Sequence, residues 1–299
     1  MSDWATYEDR GGAAVLRFER RLAHPPEAVF RAITDPDELR HWFPARVDTE
    51  LRAGAPVRFS FGDEAAEAPD GEVLEVDPPR VFAFTWGGDV LRWEVVPEPG
   101  GCRLVFVHTI AEGRSGVARN GAGWDVCLAQ LGARLDGRAE PELPWFPRFE
   151  GYADRFGLGE GELDGGTLRF VRDAVAAREV VWAHLTEGAV PAVGGPAPRR
   201  FGPAPPGEVT AVQPERLLAC ATADGSVRWE LEQGMPGALV TVTVALDDPD
   251  AAPAALAAWQ VHLELLIAAV HGEERCWPAD RVAELERRYA GAVRAAARP

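Results

Sequence analysis

The chain has 299 residues, 46% of them hydrophobic and 26% charged, with a formal net charge of −16. That length suits two domains, each large enough to bury its own core. The acidic balance argues against nucleic acid and anionic membranes as partners, since both select for clustered Lys and Arg. The opening MSDWATYEDRGG has no basic segment followed by an apolar run, so no secretory signal is expected. No stretch approaches the roughly 18 apolar residues of a membrane span. Cys102, Cys127, Cys220 and Cys276 show neither metal-ligand spacing nor a disulfide framework, so reduced, packed thiols of a cytoplasmic protein are expected.

Residues 13–22, AAVLRFERRL, alternate apolar and charged side chains and predict a strand with one covered face. Pro25 and Pro26 then open a short helix, where a missing N–H costs little, with Val29, Phe30 and Ile33 as its buried stripe. Asp35-Pro36 breaks it, and a second short helix ends near Trp42, before Pro44. Turn signals divide the following residues into strands near 46–51, 56–62, 71–77, 80–86, 89–96 and 102–110, the last four forming an antiparallel meander. A long helix is predicted over about 115–138, with Trp124, Leu128, Leu131 and Leu135 on one face. Residues 139–166 read as a terminal extension, 139–156, followed by a linker, 157–166.

The chain then repeats itself. GEVLEVDPPRVFAFTWGGDVLRW, starting at Gly71, returns as GEVTAVQPERLLACATADGSVRW, starting at Gly207, and the offset is 136 at both ends (207 − 71 and 229 − 93). Gly, Pro, Arg and Trp stay in register, which points to a tandem duplication with one domain per copy. The predicted domains are 1–156 and 167–299. VVWAHLT (180–186) echoes AVFRAIT (28–34) at an offset of 152 (181 − 29), so the second copy is 16 residues shorter by Gly207 (152 − 136). The loss is expected to cover the second short helix and its HWFP ending. EGAVPAVGGPAPRRFGPAPPG stands in its place, too rich in Pro and Gly for regular paired strands. Strands are expected again at 207–213, 216–222, 226–232 and 237–246, and helices at about 253–271 and 279–296. The stripe of the first of these helices is Trp259, Leu263, Leu266 and Val270. WPADRVAELERRYAG resembles WFPRFEGYADRFG, so the extension is duplicated as well.

In the first copy Phe82, Phe84 and Trp86 alternate on one strand face, Leu91, Trp93 and Val95 on the next, and Leu104, Phe106 and His108 on a third. With Trp42, Phe59, Phe61, Trp124 and Leu128 they form a candidate lining for a ligand site, or alternatively a filled aromatic core. His108 is the polar candidate, as a group that orients a ligand, as an acid or base, or as a hydrogen-bonded core histidine. Its repeat counterpart is Val244, so the fold does not demand a histidine there. Arg92-Trp93-Glu94 recurs as Arg228-Trp229-Glu230 and reads as a cross-strand ion pair on the outer face. Cys127 has no activating neighbours in sequence, and no metal or cofactor motif is present.

The elements PPEAVFRAITDPDELRHWFP, GEVLEVDPPRVFAFTW, LVFVHTI and GWDVCLAQLGARLDG, in that order over about residues 14–138, resemble the bacterial homologues of the activator of the heat-shock protein 90 ATPase. These belong to the START-like superfamily. The family's double glycine after the second strand reads Gly54-Ala55 here. The resemblance implies an α+β fold of two helix-grip domains, each a curved antiparallel sheet packed on a long helix, with an apolar cavity between sheet and helix. Together with the ring set and His108 it favours a binding module for a small apolar or aromatic ligand in the first domain, and the absence of cofactor motifs leaves no cofactor expected. A cyclase or hydrolase using His108, and a protein-interaction or chaperone-linked module, are the alternatives. The second domain is expected to hold little or no cavity. Fold alone does not decide among these roles.

Overall fold

The computed structural model describes residues 4–61, 71–203, 207–234 and 237–296. The chain divides into two compact units, Met1–Phe156 and Gly157–Pro299. The end of the strand expected at 56–62 lies outside the described residues.

The first unit runs β1 (Thr6–Arg10), β2 (Ala13–Leu22), α1 (Pro26–Thr34), α2 (Pro36–Leu39), β3 (Arg46–Thr49), β4 (Pro56–Ser60), β5 (Gly71–Asp77), β6 (Val81–Trp86), β7 (Asp89–Glu98), β8 (Gly101–Ile110), α3 (Val117–Leu135) and α4 (Trp145–Arg155). Its strands form one antiparallel sheet in the order β1-β2-β8-β7-β6-β5-β4-β3. Short turns make β5 to β8 a meander, and β2 closes against β8 with Phe18 opposite Phe106. The chain crosses to the far edge through α1 and α2. Asp35 ends the first helix and caps the second, its carboxylate accepting from the Asp37 N–H at 2.9 Å, with Pro36 in the first turn. Val29, Phe30 and Ile33 are buried as their spacing predicts.

The second unit runs β9 (Glu162–Asp164), β10 (Thr167–Asp173), α5 (Arg178–Thr186), β11 (Val209–Gln213), β12 (Leu217–Thr222), β13 (Gly225–Gln233), β14 (Ala238–Leu246), α6 (Ala252–Val270) and α7 (Ala279–Ala296). Its sheet order is β11-β12-β13-β14-β10-β9. The meander and long helix of the first unit therefore recur, at the predicted positions. Leu16-Arg17-Phe18 of β2 returns as Leu168-Arg169-Phe170 of β10. Gly71 and Gly207 recur for a physical reason: a Cβ at either would lie within 2 Å of a facing backbone oxygen, 1.8 Å from that of Thr85 and 1.9 Å from that of Ala221. No other residue fits so close to the neighbouring strand.

Three sequence expectations need correction. Residues 157–166 are not a free linker, because β9 pairs with β10 along Glu162–Asp164 and continues the second sheet. The length difference is split in two. Gly54 and Ala55 bracket Val73 through Gly54 N–H to Val73 O and Val73 N–H to Ala55 O, both 2.8 Å. Gly194 and Gly195 do the same around Val209, at 2.9 and 2.8 Å. The second copy thus keeps a double glycine at an offset of 140 (194 − 54), so 12 residues are lost before it (152 − 140) and 4 after it (140 − 136). The first loss removes α2, Trp42, Phe43 and β3. Finally, Arg92 and Arg228 pair along their own strands, with Glu94 and Glu230, each at 3.0 Å. Only Arg92 also reaches across the sheet, over Ala83 to Glu75 at 3.4 Å.

Both units fasten their last helix to the long one in the same way. The Tyr152 hydroxyl on α4 accepts from the Ala5 N–H and donates to Asp125 Oδ2 on α3, both 2.9 Å. The Tyr289 hydroxyl on α7 accepts from the Gly161 N–H at 2.9 Å and donates to Gln260 Oε1 on α6 at 2.6 Å. Burial pushes the Asp125 carboxyl up, against the pull of Tyr152, Arg20 and Arg148. Arg20 sits 2.7 Å and Arg148 3.4 Å from it. The helix Pro249–Val270 is long and apolar enough by composition to cross a membrane, but half of it is buried within the protein, as befits a core helix.

Candidate ligand-binding site

Alternation separates two faces on β6, β7 and β8, and the one that carries Trp93, Phe106 and His108 turns toward α3, where all three meet Trp124. Phe82, Phe84, Trp93, Phe106, His108, Trp124 and Leu128 are all buried, as are Trp42 and Phe59. Trp93 lies stacked on Phe106 with centroids 3.7 Å apart, and Trp124 meets Phe106 edge-on at 4.6 Å. Trp42 packs edge-on against Trp93 at 5.5 Å and is anchored by its indole N–H donating to Ala32 O at 2.9 Å. These rings fill the space between the centre of the sheet and α3. The expected cavity between Phe106 and Trp124 is therefore occupied by the rings themselves.

The aromatic array continues outward. Trp86 is only partly buried and lies against Phe59 at 4.9 Å, Phe43 at 5.5 Å and Phe61 at 5.9 Å. Phe61 is 37% exposed, so it stands at the rim rather than in the interior. Phe43, absent from the sequence-based set, links this outer group to Trp124 at 5.6 Å. The predicted residues thus join one continuous ring system that runs from a dry centre to a solvent-facing end.

His108 sits beneath this system, 2% exposed. The Trp124 indole N–H donates to its Nδ1 at 2.9 Å. An indole nitrogen only donates, so Nδ1 supplies the lone pair and the ring proton is on Nε2. Nε2–H then donates to Asp89 Oδ2 at 2.8 Å, and Asp89 Oδ1 accepts the Ala111 N–H at 2.8 Å. Burial alone would raise the Asp89 carboxyl, but the hydrogen bonds from His108 and Ala111, with the nearby Arg119 charge, hold it below its ordinary value. Both imidazole nitrogens are engaged, which leaves no lone pair for a substrate proton. Asp89 could have been found from the repeat: at the same offset His108 becomes Val244 and Asp89 becomes Gly225, so the pair is lost as a unit.

Burial pushes the Cys127 thiol up to about 12, which fits a packed thiol and not a nucleophile. Among the described residues no group of His, Cys, Asp and Glu could hold a metal ion. An open groove of about 690 Å³ lies elsewhere on the first unit, lined by Phe30, Thr34, Leu51, Pro78 and Pro79 among others, and none of the predicted site residues borders it.

An antiparallel sheet packed on a long helix, with an aromatic interior and a buried polar pair, gives the first unit the helix-grip fold. Residues 23–136, within the first unit, match the family described as Activator of Hsp90 ATPase homolog 1-like protein. Solved structures with a similar fold include a conserved protein of unknown function from Enterococcus faecalis, 18% identical, covering 51% of this chain and 90% of that one, with a TM-score of 0.46. CalU16 from Micromonospora echinospora is 22% identical over 50% of this chain and 94% of its own, with a TM-score of 0.40. A Bordetella parapertussis protein is 25% identical over 52% and 93%, with a TM-score of 0.39. No curated protein matches the chain.

Proposed function

We propose that the first unit binds a small, mostly apolar or aromatic molecule at the outer end of its ring system, against Trp86, Phe43, Phe59 and Phe61. The observation that carries this reading is the continuity of the aromatic array from buried Phe106 to exposed Phe61. A core needs no such extension to the surface, whereas a binding site needs apolar area that ligand and solvent can both reach. Covering a few hundred Å² of ligand contributes several kcal/mol at about 25 cal/mol per Å², less the cost of association. His108 and Asp89 stiffen the inner wall by locking Trp124. The cyclase or hydrolase alternative would need a free imidazole lone pair, and the Trp124 bond occupies it. A cytoplasmic location is part of the same proposal, suited to three buried free thiols.

Native mass spectrometry of freshly purified protein and a thermal-shift screen test this together. Apolar aromatic compounds should raise the melting midpoint while equally sized polar ones do not. If no aromatic compound moves the midpoint and no adduct is retained, the first unit is a solid core without this function.

A further inference from the structure

In the first unit α2 lies over the end of the long helix, where Glu38 accepts a hydrogen bond from Arg134 Nε at 2.9 Å. The second unit has lost α2, and the residue at the position of Arg134 is Ala269 (134 + 135; Trp124 maps to Trp259 at the same offset). The short turn Arg199–Phe201 lies against this part of the helix, where Arg200 O accepts from the His262 ring at 3.0 Å. A cleft of about 250 Å³ remains. Its apolar wall is Leu265, Leu266 and Ala269, and its polar residues are Arg200, His262, Glu274 and Arg275.

The polar residues are not equivalent. Arg275 is bonded to Glu273. His262 donates from Nε2 to Arg200 O at 3.0 Å, and burial, helped by the Arg200 charge, pushes it down to about 4, so it adds no charge near neutrality. Among the described residues the Arg200 guanidinium makes one ion pair, with Glu187 at 3.5 Å. Glu274 is exposed, so its carboxylate keeps acceptor capacity. One cation with donors to spare and one anion with acceptors to spare thus share a small cleft with three aliphatic side chains.

We propose that this cleft binds a zwitterion of amino-acid size with an aliphatic side chain, its carboxylate on Arg200, its ammonium on Glu274 and its side chain on Leu265, Leu266 and Ala269. A zwitterion meets both charges at once, whereas an amine would leave Arg200 with its 3.5 Å contact to Glu187 alone and a carboxylate would leave Glu274 without a cation. The volume lies below that of sites for drug-sized ligands, as a single amino acid requires. This site is independent of the aromatic array of the first unit.

The test is a titration of the full chain with L-leucine, isocaproate and isopentylamine, read from the imidazole resonances of His262. The assignment comes from His262→Gln. L-leucine should shift His262 with saturation, and each singly charged analogue should bind at least about tenfold more weakly. Arg200→Gln should weaken L-leucine and isocaproate, while Glu274→Gln should weaken L-leucine and isopentylamine but leave isocaproate unchanged. Both replaced side chains are exposed, and circular dichroism checks that the variants stay folded. The absence of a saturable shift at tens of millimolar L-leucine would overturn the proposal. Equal binding of an analogue, or unchanged binding in both variants, would do the same.

Discussion

In the first unit the long helix faces a wall of rings, and in the second the same backbone positions carry aliphatic or small side chains. Phe82, Phe84, Trp86, Phe106 and His108 become Leu218, Cys220, Thr222, Val242 and Val244, while Trp93 persists as Trp229. The backbone does not respond: Trp93 pairs with Phe106 as Trp229 pairs with Val242, and Leu91 with His108 as Val227 with Val244. The fold therefore requires apolar volume at these positions and one large ring on β7 or β13, but not the aromatic array. That array, with its buried polar pair, is an addition specific to the first unit, and its presence calls for a functional explanation. The second unit differs on the other flank of its helix, where losing α2 leaves the small polar cleft.

The strongest way to break this comparison is at the shared ring. Trp93→Ala and Trp229→Ala should each destabilise their own unit by about 3–5 kcal/mol, measured by denaturant unfolding, because each deletes a fully buried indole. A loss below about 1 kcal/mol at Trp229 would mean that the second unit does not use the ring as its anchor.

The polar pair comes next. His108→Val leaves the Trp124 N–H and the Asp89 carboxylate without their partner and should cost about 1–3 kcal/mol. Adding Asp89→Ala should cost less than the sum of the two single losses, as expected for groups that act together. Strict additivity would show that the joint loss in the second unit is coincidental.

Acid separates the units by mechanism. His262 is pushed down to about 4 in the folded chain, so the unfolded chain binds more protons between that value and about 6.5. The second unit should therefore lose about 1–3 kcal/mol as pH falls through this window, and His262→Gln should abolish the loss. Asp89 is held below its ordinary value, so its contribution to the first unit is present above the unfolded pKa and disappears only at lower pH, as the folded carboxyl protonates. Asp125 is shifted upward and works in the opposite sense, which makes the difference between wild type and Asp89→Asn the proper readout.

The smallest contrast lies in the tyrosine clasps. Tyr152→Phe removes a donor from the buried Asp125 carboxyl, and Tyr289→Phe removes one from the neutral Gln260 amide. The first should cost about 1 kcal/mol more than the second, because hydrogen bonds to charged groups are stronger.

Much of this architecture was legible in the sequence, because a constant offset of 136 fixes the meander twice and the stripes of α3 and α6 read at helical spacing. What escaped was short or polar. β9 is a three-residue edge strand, Glu-Leu-Asp, set among glycines, and only its pairing with β10 makes it a strand. Gly194-Gly195 was hidden inside a Pro-rich segment, since its role is backbone bonding to Val209, which no side chain advertises. The ring set converges on Trp124 and Trp86 in the fold. Alternation gives the face of a side chain but not the gap beyond it, so the contact between Phe106 and Trp124 was not predictable. Asp89 sits at a strand end beside a glycine turn, where an acidic residue reads as solvent-facing, and only comparison of the two copies marks it as the partner of His108.

The most direct test is a titration of the full chain with naphthalene, followed by naphthalene fluorescence, in wild type and in Trp86→Ala. Trp86 is partly exposed, so the variant should fold, and Thr222 already occupies its position in the second unit. Saturable binding by the wild type that weakens about tenfold or more in Trp86→Ala is the predicted result. Binding of equal strength in both proteins, or no binding by the wild type, would contradict a ligand site at the outer end of the aromatic array.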